Sequence, residues 1–225
     1  MRSTIRSGFG LPGGKVGVIK NTSITVKCLV FSKDGLLIVK EKNPKNKSQE
    51  ERIKNALSLK EIQCSIRKLV ERRRERKDPS VNEEILIKLF EEIKDNGDES
   101  VISLSAVREI LEETGFLIRP QKLFQIVIRE RGLPHIVAIF LGEIVSGRLR
   151  KESGETFNSF KRLFDLPPTD EEPGAEKIMK TELMFYRHKV LYIPSALKIL
   201  LEKNFNFPFS KNEVEDFLKN KAPST

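Results

Sequence analysis

The stretch "AVREILEETGF", Ala106 to Phe116, sets three glutamates among apolar residues and closes with a glycine and a phenylalanine. Its apolar spacing predicts an amphipathic helix. On that helix Glu109 lies three residues before Glu112 and four before Glu113, so all three carboxylates share one side. Neighbouring carboxylates repel one another, and a bound cation would offset that repulsion. Carboxylate oxygens suit Mg²⁺ or Mn²⁺, whereas the alternative is a solvated acidic face.

The rest of this helix has two further roles. Arg108 lies beside the glutamates and can pair with one carboxylate, holding its rotamer. Gly115 predicts a left-handed residue at the helix end. We expect the opposite, apolar face to anchor the helix on a sheet through Leu104, Val107, Ile110 and Leu111.

Composition narrows the class of protein. The chain has 225 residues, 38% of them hydrophobic and 32% charged, which predicts one large domain or one domain with an insertion. The formal net charge of +9 favours an anionic partner such as a phosphorylated metabolite or nucleic acid, with solubility as the alternative. The sequence contains no run of eighteen apolar residues, so we predict no membrane span. Cys28 and Cys64 predict two buried, reduced thiols, and we expect a cytoplasmic protein.

The predicted strands form two pairs and one single segment. Residues 23–42 contain two β-rich runs joined by the turn "SKDG". Residues 122–147 contain two more, joined at Gly132-Leu133-Pro134. We expect a further strand at "TELMFY", residues 181–186, and a loop over residues 148–176.

The predicted helices begin at residue 43, where the sequence becomes strongly charged. Residues 43–98 predict a helical hairpin inserted into the domain. Four capping boxes mark helix starts, namely Ser48 with Glu51, Ser58 with Glu61, Ser80 with Glu83 and Ser210 with Glu213. Each of the two predicted helices of the hairpin carries an apolar stripe. The first consists of Ile62, Ile66, Leu69 and Val70, and the second of Ile85, Leu86, Leu89, Phe90 and Ile93. "IPSALKILLEKN", residues 193–204, predicts a helix with Pro194 near its start.

The segment "REILEETGF", Arg108 to Phe116, resembles the second half of the Nudix box, R-E-U-x-E-E-x-G-U, where U is a bulky apolar residue. The resemblance covers residues 23–42 and 99–201. It implies an α/β fold, a Nudix-like α/β/α sandwich with a mixed sheet and a helical-hairpin insertion. The domain would span residues 23–205, after a Gly-rich segment at 1–22 and before a C-terminal helix and tail at 206–225.

The resemblance also implies an activity. Nudix hydrolases use divalent cations to activate water against a diphosphate bridge, so we expect a metal-dependent hydrolase acting on a nucleoside diphosphate linked to another group. Glu112 and Glu113 would be the main metal ligands. Glu109 would be a further ligand or a proton acceptor, and Arg108 the orienting residue. Family members often add a glutamate from outside the box, for which Glu176 is the first candidate; the other two candidates are Glu155 and Glu182.

The first half of the box departs from the family pattern. Ser100 stands where the family places a glutamate, and Lys94 where it places a glycine. A slipped loop would allow Glu99 to serve, with Gly97 providing the bend.

The missing loop has a counterpart upstream. "GFGLPGGKVG", residues 8–17, resembles the loop that enters the box in Nudix proteins, but it precedes the first predicted strand pair. If it folds back, Gly13, Gly14 and Lys15 would bind substrate beside the metal; it could also reach the site of a second subunit in a homodimer. The alternative is an ordinary Pro-Gly-Gly turn.

A second function is consistent with these departures. The chain would then be a catalytically impaired Nudix-like module that binds nucleotide or RNA. Its binding surface would be the basic run "IRKLVERRRERK", residues 66–77, where Arg67, Arg74 and Lys77 can face a polyanion. Interleaved Glu71 and Glu75 favour i,i+4 salt bridges on a solvated face instead.

Overall fold

The computed structural model describes residues 8–32, 35–41, 54–75, 81–94, 96–129, 134–149, 156–161, 193–203 and 211–221. They belong to two compact units. The larger unit comprises Pro12–Val30 and Lys45–Lys151; the smaller comprises Met1–Leu11, Phe31–Pro44 and Glu152–Thr225. The fold is mixed α/β with an open, mixed sheet and several helices, which confirms the predicted class at that level.

The larger unit is built on a mixed sheet. Its strands are β2 (Lys15–Ile19), β3 (Thr22–Ser32), β5 (Phe116–Arg129) and β6 (Pro134–Gly147). Only β3 is shared: it belongs to this unit as far as Val30, and Phe31 and Ser32 belong to the smaller unit. The strands pair in the order β2-β3-β6-β5, with β3 and β6 parallel and the other neighbours antiparallel. The strand pair expected at residues 122–147 is confirmed. β5 begins earlier than expected, directly after Gly115.

The strand β2 was missed by sequence analysis, which assigned residues 1–22 to a Gly-rich segment. It pairs with β3 through the two-residue turn Lys20-Asn21, in which both residues have positive φ, 46° and 59°. Positive φ at both central positions is the requirement of a type I′ hairpin, and asparagine tolerates it. "IKNT" was therefore the available signal for this hairpin.

Within residues 43–98, the range predicted for a helical insertion, the structure describes two helices. They are α1 (Leu59–Glu75) and α2 (Glu83–Glu92), followed by α3 (Asp98–Thr114), which carries the glutamates. Ser58 caps α1 as expected, because its amide and hydroxyl donate to Glu61 Oε2 at 2.8 and 2.6 Å. Ile62, Ile66 and Val70 are buried, and α1 packs against α3.

The insertion is also bound to the sheet. The Val18 amide donates to the Lys54 carbonyl at 2.9 Å, and the Ala56 amide donates to the Val18 carbonyl at 3.2 Å. Further along, Arg119 on β5 pairs with Glu92 of α2 at 2.7 Å and with Glu143 of β6 at 2.9 Å. Residues 54–56 and the end of α2 are thus attached to the strands of the larger unit.

The predicted start of α2 is wrong. The N-cap is Asn82, whose Oδ1 accepts a hydrogen bond from the Glu84 amide at 2.8 Å, and the helix begins at Glu83. A capping box requires its serine at the N-cap and its glutamate three residues later. Asn82 already satisfies the cap, so Ser80 lies before it; Ser48, Glu51, Ser80 and Ser210 are outside the described residues.

The smaller unit combines antiparallel strands with two helices. These elements are β1 (Gly8–Gly10), β4 (Gly35–Glu41), β7 (Thr156–Lys161), α4 (Ile193–Glu202) and α5 (Lys211–Lys221). β4 pairs with β1 and β7, and Phe31 and Ser32 at the end of β3 also pair with β4. The pairing of the two runs at 23–42 is confirmed where Ser32 pairs with Gly35, and the helix at 193 is confirmed; Lys33 and Asp34 of the turn "SKDG" lie outside the described residues. Residues 181–186 lie outside the described ranges.

The expectation of a loop over residues 148–176 is wrong where β7 forms. Its sequence, "TFNSFK", is short and flanked by polar residues, so it carries little intrinsic strand signal. Register with β4 from Leu36 to Glu41 decides its conformation. Such long-range pairing is why strand propensity depends on context.

Burial agrees with the expected core of α3. Leu104, Val107, Ile110 and Leu111 are each at most 1% exposed. Both cysteines are free thiols, but only Cys28 is buried, so the expectation of two buried cysteines is wrong for Cys64. Among the described residues, no helix is long and apolar enough to cross a membrane.

Replacing Asn82 with alanine should lower the free energy of unfolding by about 1 kcal/mol, because the Glu84 amide loses its cap acceptor. Ser80→Ala is the matched control and should leave stability unchanged. Urea unfolding of both variants measures this. Equal stability of Asn82→Ala and wild type would contradict the assignment of the cap.

The two thiols should differ in reactivity. Burial raises the pKa of the Cys28 thiol far above its ordinary value, and the nearby Glu113 charge raises it further. A disulfide reagent such as Ellman's should therefore modify one thiol per native chain, at Cys64, and the second only on unfolding. Cys64→Ser should abolish the native reaction. Rapid modification of two thiols in the folded chain would refute the burial of Cys28.

Candidate functional site

The glutamates are positioned by α3 and by the residue that ends it. Burial of Val107, Ile110 and Leu111 fixes the rotation of the helix and leaves the glutamates on another side. Gly115 ends the helix with φ of +89°, and its amide donates to the Leu111 carbonyl at 3.1 Å. This is the left-handed helix end that the sequence predicted.

The N-terminal segment reaches this helix within the same chain. The Gly13 amide donates a hydrogen bond to Glu113 Oε2 at 2.8 Å. Pro12 and Gly14 are held against β3, because their carbonyls accept from the Cys28 and Val26 amides, each at 2.9 Å. The structure therefore brings together two parts of the predicted site that lie one hundred residues apart in sequence.

Gly13 and Gly14 occupy positions that a side chain would fill. Gly13 has φ of +145°, and a Cβ atom there would overlap the Val26 carbonyl oxygen. A Cβ atom on Gly14 would overlap the Glu109 carboxylate. Lys15 follows as the first residue of β2, with an exposed side chain. The absence of side chains at positions 13 and 14 is what allows the backbone to approach the glutamates.

Glu109 is largely buried. Its side chain is 16% exposed and forms an ion pair with Arg108, which is 18% exposed. Desolvation raises the pKa of Glu109, and the Glu112 charge raises it further, while Arg108 and Lys27 lower it. Arg108 therefore takes the orienting position expected for it.

Lys27 was missed by sequence analysis. A Cβ atom on Gly13 would lie 2.9 Å from the Lys27 Cα, so this lysine stands on β3 directly behind the glycines. Its charge also lowers the pKa of the Glu109 carboxyl. In the sequence, the signal for a role of Lys27 was a single lysine within the apolar run "ITVKCLVF". In the structure this lysine is half-buried.

The chemistry of the donors fits a hard divalent cation, since three carboxylates arise from adjacent turns of one helix. Their orientation is set by other partners: Arg108 holds Glu109, and the Gly13 amide holds one oxygen of Glu113. Throughout the part of the chain that is described, no three His, Cys, Asp or Glu side chains converge on a point where they could hold a metal ion. Metal binding would require these carboxylates to reorient.

The first half of the box does not join the site. Glu99 lies in the first turn of α3, ten residues before Glu109 and so about 15 Å away along the helix axis. It pairs with Lys122 at 3.4 Å. Ser100 is buried and bonds to the Lys94 carbonyl, while Gly97 is the N-cap of α3. The slipped-loop hypothesis for Glu99 therefore has no support in the geometry.

Other predicted site residues lie elsewhere. Glu155, Glu176, Glu182 and Lys77 are outside the described residues. On α1, Arg74 pairs with Glu83 at 2.8 Å, and Arg67 lies over the Phe90 ring at 5.7 Å. These two arginines contact α2, in place of the i,i+4 pairs expected within α1.

Comparison with known proteins adds no relative. No family model matches the chain, and no curated protein matches it.

Replacing Gly13 with alanine should destabilise the chain by about 3 kcal/mol, because a positive φ and a backbone overlap combine. Gly97→Ala is the matched control. It shares a positive φ, +66°, but has no atom within 4 Å of the new Cβ. Its φ of 66° and ψ of −132° lie outside the left-handed helical region, so conformational strain alone should cost about 2 kcal/mol.

Thermal or urea unfolding of the two variants gives this comparison. If both variants lose the same free energy of unfolding, the backbone of Gly13 does not lie in close contact with β3.

Proposed function

We propose that the chain is a metal-dependent hydrolase that cleaves the diphosphate bond of a nucleoside diphosphate linked to another group, on a Nudix-like α/β/α fold. The observation that carries the proposal is the hydrogen bond from Gly13 to Glu113. It joins a Pro-Gly-Gly segment to the helix "REILEETGF", and these two segments resemble two parts of the Nudix box. The match of α3 to the second half of that box supplies the reaction class.

In this proposal Glu112 and Glu113 hold Mg²⁺ or Mn²⁺, with Glu109 as a further ligand or as the proton acceptor. A bound divalent cation supplies charge neutralisation of the phosphates and a lower pKa for attacking water. Arg108 orients the Glu109 carboxylate by their ion pair. A proton taken up at Glu109 would be shielded from solvent, because this side chain is largely buried.

The positive charges around the glutamates support an anionic substrate. Lys15 extends from the residue after Gly14, and Lys27 stands behind Gly13 on β3. Both can contact phosphate oxygens of a substrate held over the glycines. The formal net charge of +9 would also attract a phosphorylated molecule to the surface.

The alternative is a catalytically impaired module that binds nucleotide or RNA. The observation in its favour is that the carboxylates are engaged by Arg108 and Gly13 and do not converge. Ser100 in place of a glutamate points the same way. The contacts of Arg67 and Arg74 with α2 reduce the case for a phosphate-binding face on α1.

The proposal is tested by a release assay with Mg²⁺ or Mn²⁺ on nucleoside-diphosphate sugars, dinucleotides, nucleoside triphosphates and capped RNA. Glu112→Gln should remove nearly all turnover while preserving the fold, because a metal ligand is lost. The loss should exceed the roughly hundredfold effect of removing a residue that only supports a ligand. Glu91→Gln, an exposed glutamate on α2, is the matched control and should retain full turnover.

Absence of cleavage across the panel by folded wild-type protein would contradict the hydrolase. Binding of RNA that weakens steeply with salt would then establish the alternative.

A further inference from the structure

The C-terminal end of α3 concentrates negative charge. The carbonyl groups of a helix C-terminus carry a partial negative charge, and α3 has no basic residue of its own in the last turn. Glu112 and Glu113 lie in that same turn and add their carboxylates. A cation from elsewhere in the fold would stabilise this end of the helix.

Arg73 of the inserted helix α1 supplies that cation. Its Nη2 and Nη1 atoms lie 2.6 and 2.7 Å from the point where a Cβ atom of Gly115 would stand. Gly115 is therefore required by its positive φ, by the Arg148 carbonyl oxygen at 2.5 Å from the same point, and by the guanidinium beside it. The residue that ends α3 is also the residue over which Arg73 lies.

Arg73 differs from the arginines beside it. Arg72 and Arg74 are exposed, whereas Arg73 is half-buried. Its orientation follows from the apolar stripe of α1, because Ile66 and Val70 are buried and α1 packs against α3. A residue three positions after Val70 projects from the same face of the helix.

We propose that α1 is a positioning element for the carboxylate helix, with Arg73 as its positioning residue. The guanidinium neutralises the end of α3 and holds its last turn, and this keeps Glu112 and Glu113 at fixed positions beside Gly13. In this proposal α1 acts by packing against α3 and contacting its C-terminal end, and not as a lid over the site. The claim about catalysis rests on the proposed hydrolase, whereas the claim about α3 does not.

The experiment measures two quantities on Arg73→Met, on Arg73→Lys and on Arg72→Met as the matched control. One is amide hydrogen exchange of residues 112–116, and the other is kcat and KM for the substrate that the wild-type chain cleaves. Arg73→Met should exchange several-fold faster in the last turn of α3. Its kcat should fall about tenfold with little change in KM, because misplaced catalytic groups slow the reaction more than they weaken binding.

Arg73→Lys keeps the charge and should recover most of both losses, and Arg72→Met should match wild type. Arg73→Gln removes the charge but keeps a polar side chain, and it provides a second variant if Arg73→Met does not fold. It should reproduce the loss of kcat and the faster exchange.

Each outcome decides between the two claims. If the wild-type chain cleaves nothing but Arg73→Met still accelerates exchange, the hydrolase is refuted and the hold on α3 stands. If the wild-type chain cleaves substrate and Arg73→Met equals Arg72→Met in both measurements, the positioning role is refuted. Loss of stability in Arg73→Met with unchanged kcat would show that Arg73 is structural only.

Discussion

The hydrogen bond from the Gly13 amide to Glu113 joins the N-terminal segment to the carboxylate helix. It depends on the backbone of residues 12–14 lying against β3, where the Val26 and Cys28 amides donate to it. It also requires α3 to present its glutamates towards that backbone. A hydrogen bond to an ionised carboxylate is stronger than one between neutral groups. The contact thus couples the register of the sheet to the electrostatics of the candidate site.

Repulsion among three glutamates is offset from several directions. Arg108 pairs with Glu109 from the same helix, and Lys27 adds positive charge from β3. Arg73 arrives from the inserted helix at the C-terminal end of α3. A cation is therefore not the sole means of stabilising the cluster. Three separate elements, α3, β3 and α1, contribute to the charge balance around the glutamates.

Sequence analysis succeeded where periodicity is strong. The apolar stripes of α1 and α3 and the capping box at Ser58 are local patterns that repeat every helical turn, so packing agrees with them. Prediction from sequence was wrong where a single contact determines the local structure. Asn82 displaces the expected cap, Cys64 faces solvent at one position of an otherwise correct helix, and β7 forms only through its pairing with β4. The resemblance to the Nudix box stays a prediction.

The amino-acid sequence by itself determined the helix with its three glutamates, the residue that ends it, and the helical insertion. Each follows from spacing along the chain and from the conformational freedom of glycine. Tertiary structure alone decided that Gly13 reaches Glu113, that Lys27 stands behind the glycines, and that Arg73 covers Gly115. These contacts join residues far apart in sequence, and they arise from strand pairing and helix packing. No local pattern encodes which distant residues those two processes bring together.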